Sequence, residues 1–148
     1  MKLSNKSRYG LKGLTDLAVH GREGQVSLKS IAERNNISLQ YLEQAFSLLR
    51  KAGIVKSVKG PQGGYYLDRE ADEITLAEIL ECLEGSYRIY DEDLTDREGD
   101  TAISLAIQKV LIDPLNERIE RFLRESTLAD LEEYYLDYEN PECYMYYI

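Results

Sequence analysis

The run Ser38-Leu39-Gln40-Tyr41-Leu42-Glu43-Gln44 interleaves hydrogen-bonding side chains with apolar ones. Wound as a helix, it gathers Ser38, Gln40, Tyr41, Glu43 and Gln44 on one face and leaves Leu42, Ala45, Phe46 and Leu49 for a core. A carboxamide sets a donor beside an acceptor, the pattern that pairs with adenine's N6 and N7, so Gln44 can read adenine. Glu43 can accept from a cytosine amine, and Ser38, Gln40 and Tyr41 can reach bases or phosphates. The alternative is a plain solvated face, which any surface helix shows.

A second group follows in Val58-Lys59-Gly60-Pro61-Gln62-Gly63-Gly64-Tyr65. Glycines at Gly60 and Gly63 let a hairpin tip approach a phosphate or a minor groove without side-chain clash, and Lys59 supplies the cation. Ordinary turn chemistry also asks for these glycines. They do not form a nucleotide loop, because no GK[ST] follows and a strand comes next.

Bond-making chemistry has little to work with. There is one histidine, His20, there is no cofactor motif, and the carboxylates do not cluster on an apolar segment, so no catalytic residue is assigned. Cys82 and Cys143 stand far apart with no CxxC spacing, which excludes a disulfide framework and gives no metal-ligand pattern. Cys82 reads as a small core residue and His20 as a helix-end residue facing the dipole.

The elements that must hold these groups can be read from caps and periodicity. Leu11, Leu14, Leu17 and Ala18 make a first helix from Ser7 to His20, stopped at Gly21. Ser27 caps a short second helix ending near Asn35-Asn36, and Ser38 caps a third that stops at Ala52-Gly53. Two short capped helices across a tight turn are a helix-turn-helix. Residues 54–58 and 65–67 are β-favouring and flank the glycine-rich tip as a hairpin. Thr75-x-x-Glu78 is a capping box opening a helix with Leu76, Ile79, Leu80 and Leu83 inward.

Gly85 to Asp100 is polar, acidic and aperiodic, and reads as a mobile loop. A long helical region from Thr101 to Glu125 then carries Ile103, Ile107, Val110, Leu111, Ile119 and Phe122 on an apolar stripe. Pro114 either kinks this helix or begins a second one capped by Asp113. Thr127 starts a last short helix, followed by a tyrosine-rich acidic tail from Tyr134 to Ile148. The fold class is mainly α: a winged helix-turn-helix DNA-binding domain plus a long dimerisation helix. Residues 1–70 form the winged unit, 71–126 the linker helix, loop and dimerisation helix, and 127–148 the terminal helix and tail.

Charge divides along the same line. The net charge of −9 conceals eleven basic against four acidic residues in 1–64, or +7, with −16 in the remainder. A basic module joined to an acidic one is expected when only one of them meets phosphate. No apolar run reaches membrane-span length and the start shows no apolar signal region, so the expected setting is cytoplasmic, with no membrane partner.

Ser7-Arg8-Tyr9-Gly10, Ile37 to Gln44 with Leu49-Arg50-Lys51-Ala52-Gly53, and Val58 to Tyr65 resemble the Rrf-two family of bacterial transcription regulators. The resemblance implies a winged-helix homodimer docked on an inverted repeat of double-stranded DNA, with the third helix in the major groove and the wing at the minor groove. It assigns Ser38, Gln40, Tyr41, Glu43, Gln44 and Lys59 to base or phosphate contacts. Cluster-binding members carry three closely spaced cysteines after the capped helix, whereas Gly85 to Asp100 has none. The implied cofactor is therefore none. Ser27 to Ala32, Leu83-Glu84-Gly85 and Tyr144 to Ile148 resemble the cluster-free CymR-type branch, which implies repression of cysteine and sulfur metabolism genes. That branch also implies a partner, cysteine synthase, docked on the tail through Tyr146, Tyr147 and the carboxylate-bearing Ile148. The competing functional reading is a winged-helix protein-interaction module that no longer binds DNA.

Overall fold

The capping residues fix where each helix begins. In the computed structural model, which describes residues 2–89, 102–140 and 142, helix α1 spans Asn5–His20 behind Ser4, whose hydroxyl accepts from the Ser7 N–H. Helix α2 spans Leu28–Asn35 behind Ser27, which accepts from the Ser30 N–H, and it ends on Asn36 in the left-handed region at φ 51°. Helix α3 spans Leu39–Lys51 and gives way at Gly53, φ 75°. Ser38 holds the cap position of α3, but its hydroxyl makes no cap bond, so the expected capping device is positional only.

Strands β1 (Val55–Val58) and β2 (Gly64–Leu67) pair antiparallel, with Val55 opposite Leu67 and Val58 opposite Gly64. A third element joins them that carries no strand periodicity in the sequence. Val26, just before α2, exchanges both backbone hydrogen bonds with Tyr65, at 2.9 and 2.8 Å. The wing is thereby tied to the start of the helix-turn-helix.

Helix α4 (Leu76–Glu84) opens on the expected capping box, with Thr75 and Glu78 bonded reciprocally. From position 90 to 101 the expected loop lies outside the described residues. The long helical region then runs as α5 (Ala102–Ile107), a wider π-type turn at Gln108–Ile112, and α6 (Asp113–Glu125). Asp113 has helical φ and ψ of −58° and −50°, so it does not cap a separate helix. Instead the helix continues, and the wide turn makes room for the ring of Pro114, which lacks an N–H and would press on the carbonyl of Val110 in a regular α-helix. Asp113 stabilises this turn from outside by accepting from Gln108 at 2.6 Å and Lys109 at 3.0 Å.

Helix α7 (Leu128–Glu139) begins at a Thr127–Asp130 capping box. It reaches well into the segment expected as tail, so Tyr134, Tyr135 and Tyr138 are helical residues. Leu128 belongs to the same core as Leu14, Leu17, Phe46 and Ile79. The starts of α4 and α7 are also bonded together, with Leu128 N–H donating to Ile74 and Leu76 N–H donating to Ser126, both at 2.9 Å. A smaller cluster of Ala77, Leu80 and Leu123 fixes α6 against α4.

Two ion pairs tie the helices laterally. The buried Asp16 of α1 takes Arg34 in a two-point contact at 2.6 and 3.0 Å, and also accepts from Asn35. Arg22 forks onto the buried Glu132 of α7. His20, as expected, sits at the end of α1 with Nδ1 3.0 Å from the Asp16 carbonyl oxygen.

Candidate nucleic-acid interface

Helix α3 has one possible rotation about its axis. Leu42, Ala45, Phe46 and Leu49 are fully buried, and removing each large apolar side chain from water contributes about 1.5–3 kcal/mol. Phe46 also meets Tyr65 of the wing edge-on, with ring centroids 5.1 Å apart. With that face held, Ser38, Gln40, Tyr41, Glu43 and Gln44 are all exposed. Among the described residues, Gln40, Glu43 and Gln44 have no hydrogen-bond partner within the chain, so their donors and acceptors are available outward. The Tyr41 ring leans toward Tyr9 of α1, with centroids 6.0 Å apart, and remains 56% exposed.

The wing places Lys59 and Gly60 at an exposed tip, Gly60 at φ 117° in open space. Gly63 answers to a different need. A Cβ there would stand 2.2 Å from the Val58 carbonyl oxygen, so the hairpin itself requires glycine at that position. Gln25 steadies the tip by donating to the Gln62 carbonyl at 2.9 Å. Neither Gln25 nor the Val26 bridge carries a signal readable in the sequence.

Not all of the basic residues counted in the first 64 are free. Arg22, Arg34 and Lys56 are paired with Glu132, Asp16 and Asp68. Lys29, Arg50, Lys51 and Lys59 enter no ion pair among the described residues, and all four are exposed. A projecting helix with unpaired amides, a basic hairpin beside it and cations around both can bind duplex DNA by base edge and by phosphate.

The family model Rrf2, described as an iron-dependent transcriptional regulator, matches residues 3–134. The chain belongs to the Rrf2 family. It is a DNA-binding transcription regulator with the winged-helix fold of that family. It is 43% identical to the HTH-type transcriptional regulator CymR of Bacillus subtilis, the match covering 100% of both chains. It is 42% identical to the HTH-type transcriptional regulator IscR of Erwinia tasmaniensis, over 88% of this chain and 78% of that one. The solved structure of CymR, named as the global cysteine regulator of B. subtilis, superposes with a TM-score of 0.77 at 42% identity, covering 90% of this chain and 98% of that one.

The iron dependence in the Rrf2 description can be tested against the donor set. A thiolate-held cluster needs several closely placed cysteines. This Rrf2 chain has two, and segment 85–100 contains neither. Cys82 is half-buried against the main core, where burial pushes its thiol above the ordinary range. These residues do not fit a cysteine-ligated cluster.

Of the six stripe residues on the long helix, Ile103, Ile107, Val110, Leu111 and Phe122 are exposed. Ile119 is half-buried against Ala77, Leu80 and Leu123 of its own chain. Tyr146, Tyr147 and Ile148 lie outside the described residues, as does Cys143. No helix among the described residues is long and apolar enough to cross a membrane.

Proposed function

We propose that this Rrf2 regulator is a homodimeric repressor of cysteine and sulfur metabolism genes that binds an inverted repeat and holds no iron–sulfur cluster. The observation that carries the DNA contact is the exposed, unpartnered set Gln40, Glu43 and Gln44 on a helix whose opposite face is fixed in the core. Gln44 and Glu43 read base edges, while Ser38, Gln40, Tyr41 and Lys59 contact bases or phosphates. Gly60 permits close approach of the wing.

Two observations support the sulfur assignment. The likeness to CymR runs the length of both chains, and segment 85–100 has none of the closely spaced cysteines a cluster would need. Dimerisation is supported by α5. Ile103 and Ile107 of α5, with Val110 and Leu111 of the wide turn that follows, expose one side of the helix, Val110 at 79%. Leu105, at 59%, exposes the opposite side, in line with residues that are buried further along, Ile112 and Leu123. A helix apolar on both sides needs covering, and the matching region of a second copy is the occupant. Docking of cysteine synthase on Tyr146, Tyr147 and Ile148 completes the reading. Removing Ile148 is expected to abolish that docking and leave DNA affinity unchanged.

Footprinting of the purified protein across genomic fragments tests the assignment. Protected inverted repeats upstream of cysteine synthesis or uptake genes are expected, and protection confined to unrelated promoters would overturn the sulfur role.

A further inference from the structure

The first turn of α1 is held from an unexpected direction. Ser4 caps the helix with its hydroxyl, and its backbone N–H donates to Glu84 Oε1 at 2.7 Å, from the last residue of α4. Ser7, wholly buried, is held in turn by Ser4, whose hydroxyl accepts from the Ser7 N–H at 3.1 Å. The Glu84 carboxylate thus ties residue 4, and through its cap residue 7, to the end of α4, which fixes how the intervening residues are turned.

Lys6 lies between those two anchors. It is exposed, and together with Gln40, Glu43, Gln44 and Ser47 of α3 it lines one open concavity. Its carboxylate neighbours are Glu84 behind it and Glu43 across the concavity, but it forms no ion pair among the described residues. A helix seated in the major groove, about 12 Å wide, is flanked by phosphate walls. A lysine beside the base-reading amides, on a four-carbon stem and without a fixed partner, is suited to reach such a wall.

We propose that Lys6 is a DNA-phosphate contact bordering the reading face of α3, and that Glu84 is its positioning residue through Ser4 and Ser7. The proposal rests on α3 docking on DNA and adds to it a contact from α1, which none of the motif residues includes. The contact is electrostatic, so it strengthens binding without choosing sequence. Glu84 acts against its own charge: a carboxylate near DNA repels phosphate, and its benefit comes only through orientation.

Titration of operator and random duplexes over a salt series, with the intact protein and the variants Lys6→Ala, Glu84→Gln and Glu84→Ala, tests both halves. Lys6→Ala is expected to weaken binding severalfold on both DNAs and to lower the salt slope by about one. Unchanged affinity and slope, or a loss confined to the operator, would overturn the phosphate contact. Glu84→Gln keeps an oxygen acceptor for Ser4 and is expected to bind at least as well as the parent. Glu84→Ala is expected to bind severalfold more weakly, with no further loss when Lys6 is already alanine. A gain of affinity in Glu84→Ala, the result of removing charge alone, or losses that simply add, would overturn the positioning role. An unaltered protein that retards neither DNA would instead remove the docking of α3 on which the proposal stands.

Discussion

The side chain of Asn116 makes the backbone hydrogen bonds of Ile89 as a neighbouring strand would: Oδ1 accepts from the Ile89 N–H at 2.8 Å, and Nδ2 donates to the Ile89 carbonyl at 2.9 Å. Asn116 is buried on α6, so one amide both satisfies itself and fastens the segment after α4 to the long helix. Leaving buried polar groups unpaired costs about 1–3 kcal/mol. Asn116→Leu is therefore expected to lower stability by about that amount in urea unfolding, and to speed hydrogen exchange of the Ile89 amide. Unchanged exchange at Ile89 would show that the clamp does not hold in solution.

The Glu84 carboxyl is held below the usual carboxylate range, first by the Ser7 hydroxyl and then by the Ser4 N–H. Its folded value is lower than its unfolded one, so its stabilising contribution is present above the unfolded value, about 4.3, and is lost as pH falls through the folded value. Glu84→Gln is expected to be less stable than the parent near pH 7, with the gap closing below about pH 4. Urea midpoints at both pH values measure this, and a gap that widens in acid would contradict it.

These two contacts mark a limit of what the sequence discloses. Thr75 and Glu78, Ser27 before α2, and the alternation of Leu42, Phe46 and Leu49 with polar residues are local patterns, and each appears in the fold as its spacing implies. Asn116 and Glu84 look like ordinary helix-surface residues because their partners lie 27 and 80 positions away. The Val26 bridge to Tyr65 is one residue long and so has no period to detect. Ser38 sits where a cap belongs, but cap position is set by the backbone, whereas use of the hydroxyl depends on its rotamer. At Pro114 the sequence allows a kink or a break, and the wide turn at Gln108–Ile112 decides for continuity. The polar face of α3 was legible because its apolar counterpart fixes the rotation. Lys6 was not, since only the packing of α1 on α3 brings it there.

Ile107 is exposed at 44% on the uncovered side of α5. Ile107→Glu places a charge where the second copy is proposed to pack, and is expected to give monomers with lost operator affinity. Sedimentation of the variant checks this, and a persisting dimer would exclude the stripe as the interface.

Protein prepared without oxygen is expected to be colourless and to contain no stoichiometric iron or sulfide, because neither Cys82 nor Cys143 lies in segment 85–100. Elemental analysis together with the visible spectrum measures this. One cluster per chain would contradict the cluster-free reading.

The most direct test of the account compares Gln44→Ala with Lys59→Ala on the footprinted operator and on random DNA of equal length. Gln44 is exposed and unpartnered on the reading face, whereas Lys59 stands at the wing. Gln44→Ala is predicted to cost roughly 1–3 kcal/mol on the operator and little on random DNA. Lys59→Ala is predicted to weaken both and to lower the salt slope by about one. Equal losses on the two DNAs for Gln44→Ala would contradict the claim that α3 reads sequence.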